Sequence, residues 1–243
     1  MVCRLMGALL AGAVMAGAAL AEDAEDPAAS ATAEAGVVLE LYTSQGCIAC
    51  PPVEALFATL ADRSDVIALA LHVDYWDYIG WRDRFAQPAF TDRQKNYARR
   101  SGSSTVYTPQ MIIGGIDRVQ GFRPMAVQDL LAKHSARGPQ VNMTVEIVAG
   151  QLTVQAMADP PLGHEVSVQL VRYRPYERMR ISSGENAGHE STYRNIVTAW
   201  IEIARWDGAG TATFHRAVDG DAPVVVILQQ ADHGPILGAM RLR

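Results

Sequence analysis

The sequence predicts an α/β domain followed by an all-β, antiparallel sandwich-like domain. Three observations predict it. Apolar runs of strand type alternate with helix-length segments from residue 37 to about 138, and the first strand, helix and second strand follow at the spacing of a right-handed parallel crossover. Beyond residue 139 the hydrophobic period changes to two. The 243 residues are 49% hydrophobic and 19% charged, which suffices for a sizeable core and excludes a disordered or collagen-like chain. Twenty-one basic against 26 acidic residues give a net charge of -5 with no basic block, so nucleic acid is not an expected partner.

Residues 1–21 read as a secretory signal peptide. Arg4 is their only charge, Leu5 to Leu20 is apolar and rich in Ala and Gly, and Ala19-Leu20-Ala21 precedes Glu22. The run is short and weakly hydrophobic for a bilayer span. Cys3 lies far from the cleavage point, against lipidation. A periplasmic or secreted location follows, with no membrane association after leader cleavage. Residues 22–36, made of Ala, Glu, Asp, Ser, Thr and one Pro before Gly36, read as a disordered acidic linker.

Each element of the α/β domain, residues 37–138, carries its own signal. Val37 to Tyr42 is an apolar strand run, ended by the turn composition Thr43-Ser44-Gln45-Gly46. Pro51 and Pro52 fit only a first helical turn, so Val53 to Ala61, with its helical apolar spacing, starts just behind Cys50. Val66 to Val73 reads as a strand buried on both faces. Asp74 to Phe85 is aromatic and irregular, Pro88 opens a helix through Arg100, and residues 110–113 and 116–120 form a hairpin around Gly114-Gly115. A last helix runs from Pro124 to about Gly138. In the second domain, residues 139–243, strand patterns recur at 141–147, 152–156, 166–173, 193–203, 211–218, 224–228 and 236–242.

Chemistry concentrates in one motif. Without the leader the only cysteines are Cys47 and Cys50, a C-x-x-C pair at a strand-to-helix junction in a chain expected to meet an oxidising compartment. Two thiols three positions apart suit thiol–disulfide exchange better than stapling. Cys47 is the candidate exposed nucleophile, its thiolate stabilised by unpaired amides and the helix dipole. Cys50 is the candidate resolving thiol. Thr108-Pro109 stands just before the third strand of the same unit.

The order of elements with the Thr-Pro step resembles the thioredoxin superfamily over about residues 37–137. That resemblance implies a thioredoxin-like domain, a cis Pro109 against Cys47, and a Thr108 backbone that pairs with an extended substrate. The strings Leu41 to Pro52, His72 to Trp81, Tyr107 to Met111, Gly184 to Gly188 and Gly234 to Gly238 resemble the DUF1223 family of secreted bacterial proteins. Departures from the thioredoxin pattern are Gly46 where a Trp usually precedes the first cysteine, and an aromatic insertion after the second strand.

Further candidates carry alternatives. Glu40 is either a buried proton acceptor for Cys50, as the thioredoxin resemblance implies, or an exposed strand carboxylate. His72, Asp74, Tyr75 and Trp76 stand where the second parallel strand ends; they shape a substrate groove or pack under a loop. Arg172, Arg174, Arg178 and Arg180 form an anion-binding face or a solvated strand side, and Glu185, Asn186 and Gly188 read as a plain loop. The expected function is an exported thiol–disulfide oxidoreductase with no cofactor beyond the Cys47–Cys50 disulfide, acting on protein or peptide thiols with a redox partner. The alternative is a non-catalytic binding module for protein, peptide or copper, in which the cysteine pair is structural or binds metal with His72. Oligomeric state is left open by the sequence.

Overall fold

A computed structural model describes Met1 and residues 33–242. Apart from Met1, the expected leader and the linker as far as residue 32 lie outside the described residues. The strands are β1 (Ala33–Ala35), β2 (Val37–Thr43), β3 (Val66–His72), β4 (Gln110–Ile113), β5 (Asp117–Gln120), β6 (Asn142–Val148), β7 (Gln151–Ala158), β8 (Val166–Arg180), β9 (Glu190–Trp206), β10 (Gly210–Ala217), β11 (Val224–Gln230) and β12 (Ile236–Leu242). The helices are α1 (Pro51–Ala61), α2 (Pro88–Arg100) and α3 (Pro124–Arg137), with a 3-10 turn at Asp77–Ile79.

The expected fold class is overturned by the sheet. A clear α/β thioredoxin domain followed by an all-β domain is not what forms: one mixed nine-stranded sheet, in the order β1-β12-β11-β8-β9-β3-β2-β4-β5, takes strands from both sides of residue 139. The decisive contact is β3 against β9. Only Ala70 and Ile196 pair there, in parallel. The neighbouring Asn195, in a left-handed conformation (φ 47°), donates from Nδ2 to the Ala68 carbonyl at 2.9 Å, so a side chain supplies a bond that the short ladder lacks. Strand alternation explains why the seam holds. Val171, Tyr173, Val197, Val225 and Ile227 from the late strands share one core with Val38, Tyr42, Ile67, Leu69 and Leu71 from the early ones.

That core lies under α2, which contributes Phe90 and Tyr97. On the opposite face, α1 and α3 cover β2 to β5 through Val53, Phe57, Leu60, Val127 and Leu131. Beside them a three-stranded sheet, β10-β7-β6, packs on β8, β11 and β12 through Leu152, Val154, Val168, Leu170, Val226 and Leu228. A second correction concerns the linker. Residues 33–35 form a strand on β12, with Glu34 accepting from buried Arg241 at 2.5 Å. Among the described residues no helix is long and apolar enough to cross a membrane.

Candidate functional site

Chain geometry brings both cysteines to the carboxyl end of β2. After Thr43 the backbone turns, the Cys47 amide donating to the Ser44 carbonyl at 3.1 Å and the Cys50 amide to the Cys47 carbonyl at 3.1 Å. Cys50 caps α1, and Cys47 and Cys50 are joined in a disulfide with their Cα atoms 5.4 Å apart. The expected stabilisation of a thiolate by free amides needs correction. Pro51 and Pro52 have no N–H, while the Val53 and Glu54 amides donate to the Cys50 carbonyl at 2.9 and 3.0 Å.

The expected exposure of Cys47 also needs correction. Cys47 is 2% and Cys50 0% exposed, although Ile48 between them is 63% exposed. Buried Asn186 donates from Nδ2 to the carbonyls of Gln45 at 2.9 Å and Cys47 at 3.1 Å, closing the 182–189 segment against the cysteine turn. Ser183 Oγ donates to the Gly80 carbonyl at 2.7 Å. Gly184, at φ +77°, lies so near Trp81 that a Cβ there would stand 3.0 Å from the Trp81 Cβ. The plain loop of the sequence reading is therefore a cap.

On the other side of the turn, the Thr108–Pro109 bond is cis. Tyr42 pairs with Gln110, so Pro109 stands beside the end of β2. Trp76 links this step to the cysteine turn, its Nε1 donating to Thr108 Oγ1 at 2.6 Å and its Cβ lying where a side chain on Gly46 would stand 3.2 Å away. This explains a glycine in the position before Cys47. Tyr75 and Asp74 reach α2. Tyr75 donates from its hydroxyl to Gln94 at 3.1 Å and also interacts with the Thr108 side chain, its pKa raised by burial, and Asp74 accepts from Thr91 at 2.5 Å, so both brace α2 while Tyr75 stays beside the Thr108–Pro109 step.

His72 is fully buried and is not a groove residue. Its Nδ1 lies 2.7 Å from Asp83 Oδ2, the oxygen that also accepts from the Gln45 amide at 2.7 Å, while Oδ1 accepts from the Phe85 amide at 2.8 Å. Burial works to raise the Asp83 pKa, but the charge and hydrogen bond of His72 and the two amides outweigh it and hold it below the ordinary value. His72 Nε2 is buried and has no hydrogen-bond partner among the described residues; the rings of Phe85 and Tyr193 stand edge-on at 5.2 Å. Thr43 pairs with His72 across the parallel β2–β3 ladder, so both side chains share the α1 face. There Thr43 Oγ1 donates to Glu54 Oε1 at 2.6 Å. Burial raises the Glu54 pKa despite that bond.

Glu40 is on the opposite face, with Val38 and Tyr42. Its carboxylate is held by Arg93 at 2.8 and 2.9 Å, by the Tyr42 hydroxyl at 2.8 Å and by the Tyr97 hydroxyl at 2.6 Å, and it is not brought to Cys50. The sequence reading missed Glu54, Asp83 and Asn186. Only Glu54 had a readable signal, four residues after Cys50 on one helical face. Among the described residues no three His, Cys, Asp or Glu gather as a metal cluster.

The family model described as "Protein of unknown function (DUF1223)" matches residues 38–229. The chain belongs to this family. A crystal structure of a protein from Agrobacterium tumefaciens is similar to it at 28% identity with a TM-score of 0.72, over 85% of this chain and 93% of that one. HBP35 of Porphyromonas gingivalis is similar in fold, at 15% identity and a TM-score of 0.59, over 86% of this chain and 74% of that one. No curated protein matches this member of DUF1223.

Proposed function

We propose that this DUF1223 protein is an exported thiol–disulfide oxidoreductase whose exchanging group is the Cys47–Cys50 disulfide. The observation that carries the reading is a disulfide closed at the start of α1 with a partly buried carboxylate, Glu54, one turn behind it. A bridge between residues three apart constrains the unfolded chain by only about 2 kcal/mol in the chain-entropy account, less than almost any longer bridge would. Its chemistry is therefore the better reason for its presence.

In the reducing direction for the protein, a substrate thiolate attacks Cys47 Sγ, the S–S bond breaks, and Cys50 leaves as a thiolate. A second substrate thiol then attacks the mixed disulfide, the substrate departs oxidised, and both cysteines end as thiols. The reverse sequence oxidises the protein and reduces a substrate disulfide. Trp76 and the Thr108–Pro109 step frame the approach, and the 182–189 cap must lift first. Protein or peptide thiols and a redox partner are the partners this chemistry requires.

The burial of both sulfurs favours a second reading, a permanent structural bridge. The two are separated by treating the folded, oxidised protein with a dithiol and with a reduced peptide, following free thiols, while Cys50→Ser is used to trap a mixed disulfide at Cys47. Exchange in the folded state and a trapped adduct are expected. A bridge that opens only where the chain unfolds would overturn the oxidoreductase reading.

A further inference from the structure

A Cys50 thiolate released inside this site has little to stabilise it. Both sulfurs are buried, and the first amides of α1 are absent or already given to the Cys50 carbonyl. A buried anion without donors is costly and favours the neutral form. A proton must therefore reach Cys50 as the disulfide opens and leave as it closes.

Resting on the oxidoreductase reading, we propose that Glu54 is the group that gives Cys50 its proton and takes it back, positioned by Thr43 and poised by the His72–Asp83 pair. Cys50 has helical dihedrals (φ −78°, ψ −38°), and the Glu54 amide donates to its carbonyl at 3.0 Å, so the two side chains are neighbours on one helix face. Side chains of helical residues lean back toward the helix N-terminus, which directs Glu54 toward Cys50. The bond from Thr43, 2.6 Å long, fixes the carboxyl over the end of β2.

The ionisable groups facing Glu54 are His72 from β3, Asp83 from the loop before α2 and Tyr193 from β9. Positive charge on His72 lowers the Glu54 pKa, negative charge on Asp83 raises it, and burial raises it most. The carboxyl is thus held above its ordinary range, nearer to a thiol, where proton transfer between the two is closer to balanced. The step conserves atoms and charge. As the substrate thiolate binds to Cys47, the Glu54 proton moves to the departing Cys50 sulfur and leaves a carboxylate; in the mixed disulfide, the same carboxylate takes the proton when Cys50 attacks.

The test uses the full chain in both redox forms. Reduction of the oxidised protein by dithiothreitol is measured from about pH 5 to 9, with the rate expressed per reductant thiolate, and thiol ionisation of the reduced protein is followed by thiolate absorbance. In the wild type the rate per thiolate rises as pH falls through the Glu54 titration. Glu54→Gln is expected to flatten that rise, with a loss of at least about tenfold on the acid side. It also moves the Cys50 titration down by about one unit, because a neighbouring carboxylate no longer opposes the thiolate. Thr43→Val removes a donor to the carboxylate, so it moves the same limb to higher pH without abolishing it. Profiles and thiol titrations identical in wild type, Glu54→Gln and Thr43→Val would overturn the relay while leaving exchange intact. A wild type that exchanges with nothing would instead overturn the function, and the thiol titration alone would then decide whether Glu54 and Cys50 share a proton.

Discussion

Two buried carboxylates flank the same pair of strands, and their surroundings differ in kind. Glu40, on the α2 face, accepts four hydrogen bonds on its two oxygens, two of them from the Arg93 fork. Arg93 in turn lies 3.7 Å above the Trp200 ring, and its Nη2 also reaches Gln229 at 3.1 Å, while Gln229 bonds Tyr97 at 2.8 Å and accepts from Gln169 at 3.2 Å. Every partner there is satisfied by another, and the network ties α2 to β2, β8, β9 and β11. On the α1 face, Asp83 accepts from His72 and from the Gln45 and Phe85 amides, yet the chain of partners ends at His72 Nε2, which has no hydrogen-bond partner among the described residues. The Glu40 cluster is closed on itself, whereas the cluster on the α1 face leaves one ring nitrogen open, a costly arrangement in a buried place. The first cluster spans the seam of the sheet, and the second lies on the face that carries Thr43 and Glu54.

That division is testable by breaking each side. Arg93→Met should cost the most, about 3–5 kcal/mol, because it strands Glu40 as an unpaired buried charge. The denaturant midpoint would show it, and Glu40→Leu/Arg93→Met should recover most of the loss. Dithiol reduction of the survivors should be unchanged; a slowed reduction would join the two faces into one functional unit. Asp83→Asn should cost less, about 1–3 kcal/mol at neutral pH, since His72 and two amides lose charge-assisted partners. The folded-state pKa of Asp83 is depressed, so its contribution is present above the ordinary carboxylate range and is lost as pH falls through the lowered value. The wild-type and Asp83→Asn stabilities should therefore converge in acid.

How far these clusters were legible in the sequence differs by face and by range. Element order from Val37 to Leu242 could be read from periodicity because each strand and helix carries its own apolar pattern. The joining of the halves could not. Its backbone pairing is one Cα pair between Ala70 and Ile196 with the Asn195 side chain beside it, and its shared core comes from residues similarly far apart, contacts across about half the chain or more that leave no local period. The direction of Glu40 was ambiguous for a physical reason. Both Val38-Glu40-Tyr42 and Leu39-Leu41-Thr43 face covered layers, so neither parity of β2 reads as the solvent side. The cysteine pair and the Thr-Pro step were legible because their residue types are rare and their positions are fixed by turns. Asp83 and Asn186 were not, since each comes from an irregular segment whose position is set by tertiary contact.

The cap offers a smaller perturbation on the α1 face. Asn186→Ala deletes the donor to the Gln45 and Cys47 carbonyls, two bonds worth about 1 kcal/mol each when removed. Opening should become easier, and reduction of the folded protein should quicken by about thirtyfold. An unchanged rate, with the variant folded, would show that the 182–189 segment does not control access to Cys47.

The smallest effect belongs to the far side of the saturated network. His233, which stands edge-on to Tyr97 at 5.5 Å, has its pKa lowered to about 4, chiefly by burial and then by the positive charge of Arg93. A base with a depressed folded-state pKa contributes stability above its unfolded value, and that contribution is lost as pH falls from there toward about 4. Because the ring is only partly covered, the loss should stay below about 1 kcal/mol. His233→Gln should remove this acid limb from the stability profile and leave neutral stability nearly unchanged. Titration of the ring by NMR near an ordinary histidine value would mean that neither the partial burial beside Tyr97 nor the charge of Arg93 disfavours the imidazolium, and the stability profile should then lack this acid limb.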